Sequence, residues 1–265
     1  MTKKGKTQGT EIRRVQVNDK RHYEIKEDGV LIGVFPSVTS ILGSTGDKSG
    51  LDRWRERVGE DEAKKIGENS TNRGTVMHRL CELYLNLPHD IQPKDKLAQI
   101  LDTINHDEEI KKFDTRAVIV GSQLFYNFYH SGSFDKIVKV ISQEQFLWNK
   151  LVIDGEDLSY AGTVDNFSQL DDGSFKVIDF KTAKKPKNEA WIENYKMQVA
   201  AYSIAIWARL KIKPDGGEIW ISNEQDRFPQ CFMMNFNDIK RYFDEFLKRR
   251  REFNAINQSI YKPNN

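Results

Sequence analysis

Two runs rich in β-branched and aromatic residues, Tyr160 to Leu170 and Ser174 to Phe180, are separated only by Asp171-Asp172-Gly173. Such an arrangement reads as a β-hairpin with a three-residue loop. Leu170 then faces Ser174, and Asp165 lies opposite Asp179; a two-residue loop would slip this register by one. Cross-strand neighbours have Cβ atoms about 5 Å apart, close enough for two carboxylates to share a divalent cation. Lys181 lies two residues beyond Asp179 and projects from the same face. The flanking Val164, Val177, Ile178 and Phe180 mark both strands as internal. Unpaired carboxylates there would repel each other and carry a large desolvation cost. A bound Mg²⁺ or Mn²⁺ removes that cost, since hard cations prefer oxygen ligands. A metal-free, salt-bridged trio of Asp165, Asp179 and Lys181 is the other reading of the same residues.

A helix over Glu189 to Leu210 follows, with Trp191, Tyr195, Val199, Tyr202 and Ile206 as its apolar stripe. Gln198 and Tyr202 are spaced i, i+4 and share a face. An amide on an otherwise apolar face needs a hydrogen-bond partner, so Gln198 is expected to reach the carboxylates. Upstream, residues 1–20 read as a mobile basic arm and Arg21 to Val34 as a hairpin around Glu27-Asp28-Gly29. Ser37 caps a helix directly after Pro36. Helical spacing covers 51–66, 72–86, about 95–110 and 115–130. Strands are expected over 137–148, 218–222 and 230–234, and a last helix over 237 to about 254. This order implies an α/β fold, a central mixed sheet flanked by helices, preceded by an N-terminal helical lobe. We therefore expect one domain over 21–265, with the hairpin and helical lobe in 21–132 and the catalytic core in 133–265.

Composition narrows the classes. No apolar run approaches the roughly 18 residues of a membrane span, and the start lacks the apolar segment of a secretory signal. Two cysteines, Cys81 and Cys231, suit a reducing, cytoplasmic setting and exclude a four-cysteine iron–sulfur cluster. The formal charge is only +2, but basic residues bunch near both ends and at Lys181, Lys184, Lys185 and Lys187. Such runs matter where they flank a site that takes a phosphate backbone.

Gly162-Thr163-Val164-Asp165, then Asp179-Phe180-Lys181-Thr182, then Gln198 with Ala201-Tyr202 resemble the motif blocks of the PD-(D/E)XK nuclease superfamily, in its RecB-like branch. Pro36 to Leu42, Leu51 to Arg55 and Arg73-Gly74 further resemble the mitochondrial genome maintenance exonuclease family and its bacteriophage relatives. The resemblance spans about 35–205. It implies a histidine ligand from an upstream helix, matched by His78 in Arg73 to His78, with Glu82 on the same face to orient it or to pair with Arg79. It also implies an acid before the hairpin, matched by Glu144. Asp165, Asp179, His78 and the Phe180 carbonyl would hold one or two Mg²⁺ or Mn²⁺ ions, with Lys181 acting on the attacking water or on the transition state. Gln198 and Tyr202 would position Lys181 and the phosphate.

The activity implied is hydrolysis of single-stranded DNA from a free end, in replication, recombination or repair, with replication or recombination proteins as partners and a host cytoplasm if the gene is viral. Trp54 would stack on a base while Arg53, Arg55 and Arg73 meet phosphates; Trp54 as an anchor between helices is the alternative. Lys184 and Lys185 would guide the strand or form a solvated loop. Two other functions stay open: a double-strand exonuclease or endonuclease on the same core, and a DNA-binding protein without catalysis.

Overall fold

The computed structural model describes residues 6–7 and 9–259. Four antiparallel strands come first, β1 (Lys6–Thr7), β2 (Thr10–Val17), β3 (Lys20–Glu27) and β4 (Val30–Pro36). Two-residue turns at Asn18-Asp19 and Asp28-Gly29 join the last three, each with both residues at positive φ, the backbone that matches the twist of a hairpin. The basic arm expected over 1–20 is corrected here. Residues Thr10–Val17 pair with β3 along their whole length, and Arg13 is tied to Glu24 at 2.8 Å. Residues 1–5 and 8 of that arm lie outside the described residues.

Ser37 caps α1 (Val38–Ser44) by accepting from the Ser40 amide at 2.9 Å, a contact worth about 1 kcal/mol. Next come α2 (Ser49–Val58), α3 (Glu60–Asn86), α4 (Pro93–Ile104) and α5 (Thr115–His130). The expected helices over 51–66 and 72–86 divide differently. The break falls at Gly59, whose φ of 85° no other residue type readily adopts, and one 27-residue helix then runs through 66–72.

The remaining elements are β5 (Ile137–Asn149), a small ribbon of β6 (Val152–Ile153) and β7 (Glu156–Asp157), β8 (Tyr160–Leu170), β9 (Phe175–Ala183), α6 (Glu193–Leu210), β10 (Gly216–Asn223), β11 (Gln230–Asn235) and α7 (Phe236–Ser259). Strand order in the central sheet is β11-β10-β9-β8-β5, with β9 and β10 parallel and the other pairs antiparallel. The parallel pair requires a crossover, and α6 supplies it. Along β9, Val177 and Ile178 point to opposite faces. Val177 packs with Val199, Ala200, Ile219 and Ile239 under α6 and α7. Ile178 and Phe180 pack with Val76, Leu80, Leu124, Phe128 and Trp220 under α3 and α5. Both faces are covered, which is why the strand reads as a continuous apolar run. The α/β class with a mixed sheet between helices is therefore observed. No helix among the described residues is long and apolar enough to cross a membrane.

Candidate active site

The hairpin turn sets the site. Leu170 N donates to Ser174 O, and Gly173 N to Leu170 O, both at 2.9 Å. Gly173 has φ 82°, as a three-residue hairpin loop demands. The β8–β9 ladder then pairs Gln169 with Phe175 through to Asn166 with Ile178. One residue further in this register are Asp165 and Asp179, where backbone pairing gives way to chemistry: the Phe180 amide donates 2.9 Å to Asp165 Oδ2.

Asp179 is 1% exposed. Gln198 Nε2 donates to its Oδ1 at 2.8 Å, and Lys181 Nζ stands 2.5 Å from Oδ2 without hydrogen-bonding angles. The amide predicted to need a partner has found a carboxylate. Lys181 also lies 5.3 Å from the ring centre of Tyr195 on α6. Tyr202, one turn after Gln198, is buried with its ring against Gly162; a Cβ there would stand 2.8 Å from the ring. Glycine at 162 is what lets α6 lie this close to β8.

His78 on α3 and Glu144 on β5 complete the cluster. His78 Nδ1 is 3.6 Å from Asp165 Oδ2 and 4.0 Å from Glu144 Oε1. Ligand atoms of His78, Glu144 and Asp165 all lie within 4.8 Å of one another. Glu144 has φ 46° in the middle of a strand, a left-handed backbone that costs a non-glycine residue about 1–2 kcal/mol. Strain of this kind collects at functional sites.

The electrostatics follow from burial. Desolvation pushes His78 down to about 4, helped by the Lys181 charge and opposed by Asp179 and by a hydrogen bond to the Phe180 carbonyl. It is neutral near pH 7, the form that ligates metals. Burial raises both Asp165 and Asp179 against the pull of Lys181. Burial presses the Lys181 amine down, but Asp179 and Asp165 outweigh it and hold the amine above its usual range. Two carboxylates, Asp165 and Asp179, thus face one ammonium. The donor set of His78, Glu144 and Asp165, one imidazole and carboxylate oxygens, fits a divalent cation.

Other expected residues sit elsewhere. Asp179 is outside the close group of ligand atoms, held by Gln198 and Lys181. The Phe180 carbonyl lies 3.4 Å from Lys181 Nζ and accepts from His78. Glu82 pairs with Arg79 at 2.8 Å, and Arg79 with Asp107. Arg73, expected to face a phosphate, is instead ion-paired to Glu224 at 2.8 Å and bonded to Ser70.

Arg53, Arg55, Lys184 and Lys185 are exposed, and Trp54 is half-buried. Trp54 and Arg55 line an open groove of about 850 Å³ with Lys64, Ser70 and Lys187. Lys187 stands 6.0 Å from the ring centre of Trp191. Trp191, read from spacing as part of the apolar stripe, is 64% exposed in a 3-10 turn ahead of α6. Spacing alone could not show that the helix begins only at Glu193.

Comparison with known proteins gives the geometry a family. Among solved structures the chain is similar to a candidate exonuclease from Eubacterium rectale, with 9% identity and TM-score 0.45 over 67% of this chain and 72% of that one. It is also similar to SSO0001, with 16% identity and TM-score 0.32 over 66% and 84%. No curated protein matches. Residues 51–259 match the sequence pattern of a family of hydrolytic nucleases that use divalent metals. Because that match takes in most of the chain, from the Trp54 helix to α7, the protein belongs to the PD-(D/E)XK nuclease superfamily.

Proposed function

We propose that the protein is an exonuclease of single-stranded DNA, of the RecB-like branch, dependent on Mg²⁺ or Mn²⁺. The observation that carries this reading is the meeting of His78, Glu144 and Asp165 within 4.8 Å beside the Asp179–Lys181 pair. These residues come from a helix and three strands, and a binding protein has no use for clustered acids next to phosphate. A divalent ion held by His78, Glu144 and Asp165 would supply an activated water and offset the charge of the scissile phosphate.

The protein's own groups do the rest. Lys181, kept protonated by its carboxylate neighbours, serves as a fixed cation for the charge that develops on the phosphate, not as the base. Gln198 holds Asp179 in the orientation that fixes Lys181. The preference for a single strand is supported by the groove at Trp54 and Lys187, with the exposed Trp191 beside it. Aromatic faces interleaved with cations stack unpaired bases while tracking the backbone.

The test uses end-labelled single-stranded oligonucleotides with Mg²⁺, Mn²⁺ or EDTA, comparing wild type with Asp179→Ala and Lys181→Ala. Laddering from one end that needs the metal and disappears in both variants is expected. Cutting of closed circles would shift the reading to an endonuclease. No cleavage of any strand in either metal would leave a binding protein.

A further inference from the structure

Arg21 lies on β3 at the end nearest the carboxylates. Side chains on one face of β3 run alongside those of β5 in the same order. Ile25 packs in the cluster that holds Trp148, and Tyr23 meets Phe146 edge-on at 4.8 Å. One strand step further on the same face is Arg21, and one step back along β5 from Phe146 is Glu144. The Arg21 backbone is clamped on both sides: Ser37 N donates to Arg21 O at 2.9 Å, and Arg21 N donates to Ser40 Oγ at 3.1 Å. Ser37 Oγ in turn donates to Ser40 Oγ at 2.8 Å. Ser37 also bridges Ala161 on β8, which anchors the clamp just ahead of Asp165. The Arg21 charge acts on the Tyr202 hydroxyl, as do the charges of Asp165 and Asp179.

Among the described residues Arg21 has no acidic partner, and its Nε is buried without a hydrogen bond. Buried polar groups are otherwise almost always paired, and a guanidinium's parallel donors match phosphate oxygens. We propose that Arg21 binds a phosphate of the nucleic-acid strand adjacent to the one being cleaved, held in place for that task by Ser37 and Ser40. This rests on the nuclease reading above. It also gives the hydroxyl-rich stretch Pro36 to Ser40 a function, which neither the metal nor the hairpin requires.

The experiment compares full-length wild type, Arg21→Gln and Arg21→Lys on a labelled single-stranded oligonucleotide with Mn²⁺ across a salt series. Melting curves confirm that each variant is folded. For Arg21→Gln, KM should rise about 10-fold or more, as loss of a charged hydrogen bond implies, with kcat nearly unchanged. Its log–log dependence of affinity on salt should flatten by about 0.7, one phosphate contact on a single strand. Arg21→Lys should fall between the two, and Mn²⁺ affinity should not change. Wild-type KM and salt slope in Arg21→Gln would overturn the assignment while leaving the nuclease standing. A collapse of kcat at constant KM would overturn it too, placing Arg21 on the reacting phosphate. A wild-type protein that neither binds nor cleaves in either metal removes the nuclease reading, and this one with it.

Discussion

The Gln198 amide holds one oxygen of Asp179 while Lys181 faces the other, so this carboxylate is positioned from two sides. Gln198→Ala should lower kcat about 10- to 100-fold, because Asp179 and the Lys181 it orients then lose their fixed position at the reacting phosphate. KM should stay nearly constant, as steady-state kinetics will show. Glu144 presents a different balance. Glu144→Gly relieves a left-handed backbone worth about 1–2 kcal/mol and adds about 0.5–1 kcal/mol of chain entropy cost. The metal-free variant should melt no lower than wild type, yet gain less when Mn²⁺ is added. A drop of several degrees without metal would show that Glu144 is there for stability. pH acts on this cluster in opposite senses. Asp179 rises from 3.8 to about 6 on folding, so stability falls as pH climbs through that window. His78 falls from 6.5 to about 4, so its contribution grows as pH climbs from about 4 to 6.5. In metal-free urea titrations, the stability of Asp179→Asn relative to wild type should therefore rise with pH, and that of His78→Gln should fall. Relative slopes of the same sign in both variants would contradict these environments.

At the level of elements, the β8–β9 hairpin was legible because a turn of known length fixes a register, and register fixes which side chains meet. Elements whose placement depends on distant partners were not. Nothing local in Thr10 to Val17 separates a paired strand from a basic tail, since its pairing with β3 decides it. The length of α3 was obscured by Gly67 to Asn72, polar residues that end helices when alone but are tolerated inside one. That His78 would meet Glu144 depends on how α3 packs, and α5 governs this. A Cβ at Gly121 on α5 would lie 2.6 Å from Val76 Cβ and 2.8 Å from the Arg73 carbonyl on α3. Gly121→Ala should thus destabilise the fold by about 1–3 kcal/mol. It should weaken Mn²⁺ binding as well, although residue 121 touches no ligand. Thermal melts with and without Mn²⁺ separate the two effects; a variant of normal stability would mean that the helices yield more easily than their contact implies.

On the scale of the whole molecule, the expected catalytic core over 133–265 does not own its core. Ile178, Phe180 and Trp220 are buried by Val76, Leu80, Leu124 and Phe128 from the preceding helices. A fragment beginning at residue 133 would expose that face. We expect it to aggregate on expression or to lack a cooperative melt, and circular dichroism with a thermal scan will tell. A cooperatively folding fragment would instead make the helical lobe an accessory. The chemistry is divided in the same way, with His78 on α3, Glu144 on β5, Asp165 and Asp179 on the hairpin, and Gln198 on the crossover helix. That spacing orders events in time. While the protein is being synthesised, the histidine emerges first and waits for its acids, and the amide that fixes Asp179 comes last of all. A chain still short of Gln198 beside a ribosome and its message therefore has no assembled cutting centre, and the reaction becomes available only after the crossover helix has emerged.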